Sequence, residues 1–87
     1  MVQAFIPASL RTLTGGAQVV EIEAATLREL VAALDSQYPG IRARLCDGDA
    51  LRSGLAVAIN NRVLDRSLDR QLQTLDEVHF VAAVPGG

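Results

Sequence analysis

Lysine is absent from this sequence, and its eight positive residues are all arginines, scattered from Arg11 to Arg70. Set against ten acidic residues they leave a formal charge of −2, with no basic stripe in the sequence, which argues against a nucleic-acid or anionic-membrane footprint. Tryptophan is also missing, and aromatics are 3% of the chain against 49% hydrophobic residues, so the core must be built from Leu, Val, Ile and Ala. The one cysteine, Cys46, cannot form an internal disulfide. The first residues lack the basic start, apolar run and small-residue cleavage site of a secretory signal, and a reducing cytoplasm is the expected location. No apolar run approaches the roughly 20 residues that cross a bilayer. At 87 residues the chain is expected to form one domain, burying roughly 60 to 65% of the surface its unfolded chain exposes.

What is present reads as a short series of strands around one helix. Val2, Ala4 and Ile6 alternate with Gln3 and Phe5, which predicts a half-buried strand ended by Pro7. Gly15-Gly16 supplies the positive φ for a return, and residues 18–23 then place Val20 and Ile22 inward. Thr26 and Glu29 have capping-box spacing, and Leu27, Leu30, Val31 and Leu34 form one stripe of a helix that Pro39 and Gly40 stop. Residues 41–45 allow a short helical turn with one apolar side, before a polar loop at Asp47-Gly48-Asp49, and this segment is expected to be mobile. Leu55-Ala56-Val57-Ala58-Ile59 and Arg62-Val63-Leu64 flank Asn60-Asn61 as a hairpin. A polar stretch follows, in which Leu68, Leu72 and Leu75 are expected to dip into the core, and a last strand runs over residues 77–83.

Strands separated by one helix in so short a chain predict an α+β fold, a mixed sheet of about five strands with the helix on one face. The other face is left open. If Val78, Phe80 and Ala82 point to the helix, then Phe5, Ala56, Ala58, His79, Val81 and Ala83 form a small, flat, apolar outer patch, a partner-docking surface in prospect.

Residues 1–83 form the predicted domain, and Val84-Pro85-Gly86-Gly87 a flexible tail. Pro85 withdraws a backbone donor and stops the ladder, and two glycines add nothing to a core. Four extended residues reach roughly 13 Å, and a backbone without Cβ atoms can thread a channel too narrow for side chains.

In order and over essentially the full length, these residues resemble the MoaD/ThiS family of β-grasp, ubiquitin-like sulfur carriers. The resemblance rests on Ile6-Pro7, Leu10-Arg11 and Thr14-Gly15-Gly16, on Thr26-Leu27 with the helix ending at Tyr38-Pro39, on Val57-Ala58-Ile59-Asn60-Asn61, and on Asp76-Glu77-Val78 leading to Pro85-Gly86-Gly87. Ile6-Pro7 through Thr14-Gly15-Gly16 is most similar to the CysO branch, whose carriers feed sulfur to cysteine synthesis. The resemblance implies a β-grasp fold and a carrier that is a co-substrate and not a catalyst. It also implies a ThiF- or MoeB-like activating enzyme, which uses ATP and Mg²⁺ to adenylate the Gly87 carboxylate. Sulfide or a persulfide then displaces AMP to leave a thiocarboxylate. Val84, Pro85 and Gly86 would thread the partner's channel, and Phe5, Ala58, His79 and Val81 would dock. The carrier itself is expected to bind no cofactor and no metal, and to be a monomer when free.

Other features have plainer readings. Cys46 could relay a persulfide, but a lone cysteine after an amphipathic turn reads as a packed residue. His79 has no second ligand at metal spacing. Asp47-Gly48-Asp49 and Asp76-Glu77 read as solvated carboxylates, and Thr14-Gly15-Gly16 as a turn.

Three functions compete at this point: a sulfur carrier, a protein modifier conjugated through Gly87 to lysines of other proteins, and a non-reactive interaction module. Without lysine the chain cannot form lysine-linked chains of itself. For a carrier, the acceptor enzyme could be cysteine synthase-like or the large subunit of molybdopterin synthase. Thiazole for thiamin and a secondary metabolite are further options. Residues 41–54 make the chain longer than a minimal thiamin carrier, which counts against thiamin.

Overall fold

The structure, a computed structural model, describes residues 1–48, 50–52, 54–60, 62–64 and 68–82. The expected domain boundary after residue 83 and the tail residues Val84, Pro85, Gly86 and Gly87 lie outside those residues, as do Asp49, Asn61 and Ala83.

Strands β1 (Val2–Phe5) and β2 (Val19–Ile22) form an antiparallel pair, joined through a 3₁₀ turn at Ala8–Leu10. Gly15 and Gly16 at φ 65° and 93° then make the positive-φ return anticipated from the sequence. Helix α1 (Leu27–Gln37) and helix α2 (Ile41–Leu45) follow, then a two-rung hairpin of β3 (Cys46–Asp47) and β4 (Ala50–Leu51). The last three strands are β5 (Leu55–Ile59), β6 (Arg62–Leu64) and β7 (Glu77–Ala82). The main sheet has the order β2-β1-β7-β5-β6, with β1 and β7 parallel at its middle and the remaining pairs antiparallel. Five strands clasping one main helix are a β-grasp arrangement.

The core lies between the sheet and the helices. Val2, Ala4, Ile6, Val20, Ile22, Val57, Ile59, Val78 and Phe80 are buried from the sheet side, and Leu27, Leu30, Val31 and Leu34 from α1. Each is a position that period-2 or period-3.6 patterning assigns inward.

The N-terminus of α1 is closed from outside the helix. The amides of Leu27 and Arg28 donate to the carbonyls of Arg70 and Leu68, each at 2.9 Å, and the Glu29 amide donates to the Thr26 hydroxyl at 3.2 Å. Three amides that a helix start leaves without intrahelical partners are thereby satisfied. The Glu29 carboxylate, expected to return to the Thr26 amide, instead accepts the Thr26 hydroxyl at 3.5 Å, while the Thr26 backbone is bridged to Gln71.

Two expectations need correction. The segment expected to be mobile contributes to the core through described residues, with Ile41, Leu45 and Leu51 fully buried. Asp35 holds the turn into α2, its Oδ1 accepting from the amides of Gly40 and Arg42 at 3.0 and 3.1 Å. Leu68 and Leu72 do enter the core, but Leu75 is 77% exposed. Leu75 adopts φ 70° in the turn before β7 and donates its amide to the Met1 carbonyl, and that turn directs its side chain away from the sheet.

Candidate functional site

The open sheet face carries one row that crosses the neighbouring strands in register: Val19 opposite Phe5, Phe5 beside His79, and His79 opposite Ala58. Alternation places these side chains away from the helix because their neighbours Val20, Ala4, Val78 and Val57 are buried beneath it. The Phe5 and His79 rings are stacked, and His79 Nε2 lies 3.5 Å from Glu77 Oε1. Val81, opposite Ala56, extends the apolar surface toward the end of β7. On the other side of the row the face turns polar, with Glu21 opposite Gln3 and Gln3 beside Glu77. The face thus has an apolar half next to the end of β7 and an acidic half next to its start.

Of the predicted docking residues, Phe5, His79 and Val81 are partly exposed and come together on this face. Ala58 shares the face, but at 8% exposure it offers little surface. Its methyl is too short to rise above its neighbours in the row, and Ala56 is buried in the same way. Alternation places the four residues on one face and overstates the access to Ala58.

Asp76 and Asn60 hold β7 in place. Asp76, expected to be solvated, is buried, with Oδ1 accepting from Asn60 Nδ2 and Oδ2 from the Gln73 amide, both at 2.8 Å. The Glu77 amide donates to Asn60 Oδ1 at 2.9 Å, and the Asn60 amide returns to the Glu77 carbonyl at 3.0 Å. The Gln3 amide donates to the Asp76 carbonyl at 2.9 Å. Together these bonds pin the first residue of β7 to β1 and β5 at once, which sets His79 beside Phe5. An aspartate directly before a strand and an asparagine directly after one were the available signals.

Cys46 is buried, and burial pushes its thiol pKa up, against the opposing pull of the Arg42 and Arg28 guanidiniums. A thiol held protonated is a poor nucleophile, which fits the packing reading. Among the described residues no group of three or more His, Cys, Asp or Glu side chains converges to hold a metal ion. Nor is any helix there long and apolar enough to cross a membrane.

Comparison with known proteins places this geometry. The family model described as the ThiS family matches residues 5–87. A chain of the Amycolatopsis orientalis BexX/CysO complex is 32% identical with a TM-score of 0.89, over 100% of both chains. Mycobacterium tuberculosis CysO is 28% identical with a TM-score of 0.86, over 97% of this chain and 100% of its own. SAMP1 from Haloferax volcanii, at 22% identity and a TM-score of 0.76 over 99% of this chain and 98% of its own, shares the fold. No curated protein matches the chain. With the family model matched over residues 5–87 and the ubiquitin-like β-grasp shared end to end with CysO, the chain belongs to the ThiS family of the MoaD/ThiS group, in its CysO-like branch.

Proposed function

We propose that the protein is a sulfur carrier whose Gly87 carboxylate is activated by a separate enzyme and converted to a thiocarboxylate. The observation that carries this reading is that the ThiS-family match runs through Gly87, so the Gly-Gly end falls within the family pattern. A carboxylate near its ordinary pKa of about 3.5 is ionised at neutral pH and is a poor electrophile, so it needs activation. In a ThiF- or MoeB-like partner a carboxylate oxygen attacks the α-phosphate of ATP, pyrophosphate leaves, and the acyl-adenylate forms. Sulfide then displaces AMP; where a persulfide brings the sulfur, a thiol cuts its S–S bond afterwards. The partner supplies ATP, Mg²⁺ and charge stabilisation. This chain supplies the slim tail and the docking face of Phe5, His79 and Val81. Family membership supports a carrier acting as co-substrate in place of a catalyst.

Likeness to CysO at 32% and 28% identity favours sulfur carriage, with a cysteine synthase-like acceptor ahead of a molybdopterin synthase large subunit. Likeness to SAMP1 supports the fold alone at 22% identity, so the modifier role is the second reading.

Incubation with ATP, Mg²⁺, the activating enzyme from the same source and a sulfide donor should raise the intact mass by about 16 Da, one oxygen becoming sulfur, confined to the C-terminal peptide. No gain with a verified partner overturns the carrier reading, and Gly-Gly remnants on cellular lysines would then favour the modifier.

A further inference from the structure

A second recognition feature lies at the same end of the sheet as Val81, on the other side of β7. A cleft of about 380 Å³ opens there between the β1–β2 connection and the segment from α2 to β5. Its apolar lining is Pro7, Leu10 and Leu55, and its polar lining is Ser9, Arg44 and Arg52. The register fixes its position relative to the end of β7. Leu55 is the partner of Ala82, and Pro7 lies two residues beyond Phe5, which runs parallel beside His79. The end of β7 therefore lies beside this cleft.

The charges of the cleft are unusual for this molecule. The chain as a whole carries −2, and the open face ends in Glu21 and Glu77, yet among the described residues none that lines the cleft is acidic. Arg44 and Arg52 are both exposed, and among the described residues neither is held in an ion pair. Arg52 is oriented all the same: its Nη1 donates to the Ala43 carbonyl at 3.3 Å, which holds the guanidinium against α2 next to Arg44. A guanidinium fixed by one hydrogen bond keeps its other N–H groups available for a carboxylate, and loses less freedom when it binds one.

We propose that this two-arginine cleft receives an acidic segment of the activating enzyme that takes the tail, so that the partner grips β7 from both sides. The hydrophobic contact falls on Val81 and Phe5, and the charged contact on Arg44 and Arg52. The proposal rests on the carrier reading for the identity of the partner. Its charge is opposite to that of the open face, so the pair of surfaces also sets the orientation in which the carrier approaches.

The test is steady-state pyrophosphate release by the activating enzyme as a function of carrier concentration, at low and at physiological salt. Arg44→Glu with Arg52→Glu should raise the KM for the carrier roughly tenfold or more with little change in kcat, and should flatten its salt dependence. Arg44→Lys with Arg52→Lys should recover most of the affinity, and Arg62→Glu, on β6 opposite Ile59 at the far end of β5, should change the KM little. Circular dichroism and a thermal melt check that each variant is folded. An unchanged KM in a folded double reversal overturns the cleft assignment and leaves the carrier reading intact. A wild-type chain that releases no pyrophosphate with a verified enzyme overturns both.

Discussion

Phe5 and His79 lie face to face on the open side of the sheet, their ring centroids 3.9 Å apart and their planes 9° from parallel. The contact joins the two parallel strands, β1 and β7, and packs the His79 imidazole flat against the Phe5 ring. Such aromatic pairs contribute about 0.5 to 1.5 kcal/mol beyond area burial. In a double-mutant cycle of Phe5→Ala and His79→Ala, urea denaturation should return a coupling energy in that range. A coupling near zero would mean that the stack is incidental.

Val81 should govern partner binding without governing the fold. It is partly exposed, at the apolar end of the face, and its partner Ala56 is too small to cover it. Val81→Asp should therefore weaken binding to the activating enzyme by roughly tenfold or more, since it places an unpaired charge in a desolvated contact. The thermal midpoint should shift by only a few degrees. Calorimetric titration with an unchanged Kd would remove Val81 from the docking surface.

Asp76 should matter for stability more than its place before a strand suggests. Both of its carboxylate oxygens are used, one by the Asn60 side chain and one by the Gln73 amide. Asp76→Ala removes the charged acceptor of two partly buried hydrogen bonds, and bonds to a charged group contribute about 1.5 to 3 kcal/mol each. Chemical denaturation should show a loss of about 2 kcal/mol or more, with an unchanged m-value if the fold persists.

Cys46 gives a pH prediction with a definite sign. Its folded pKa is raised by burial, so the thiol stays protonated in the native state at pH values where the unfolded chain has begun to ionise. Its contribution to stability is fully present below the ordinary thiol range and is lost as pH rises toward the folded value. Wild-type stability should accordingly fall relative to Cys46→Ala as pH is taken upward through that range. Native Cys46 should also react with iodoacetamide at pH 8 at least tenfold more slowly than the urea-unfolded chain.

The regular elements were legible because half-buried strands and amphipathic helices leave a period in the sequence. Val2, Ala4 and Ile6 show it, as do Leu27, Leu30, Val31 and Leu34, and all seven are buried as that period requires. Leu75 defeated the same logic because periodicity assumes one continuous conformation, whereas the chain there passes through a turn with φ 70°. The link between Asn60 and Asp76 joins residues 16 apart through side chains, and nothing local encodes it. The arginine cleft was hidden for a related reason. Arg44 and Arg52 look scattered along the chain, and become neighbours only when α2, β3 and β4 fold back beside β5.

Gly86→Ala isolates the role of the tail. If residues 84–87 cross a narrow channel to reach ATP, the penultimate position must fit where walls close on the backbone, and a Cβ would meet them. Stability, measured by chemical denaturation, should be unchanged. Docking through Val81 and Phe5 should survive as well, since those residues lie upstream of the tail. The expected signature is therefore a kcat defect of at least tenfold in pyrophosphate release, with little change in binding of the carrier. Val84→Ala, which leaves a side chain no larger than the original, should be far milder. A Gly86→Ala chain adenylated at the wild-type rate would mean that the channel tolerates a side chain there, and the terminal glycines would need another explanation.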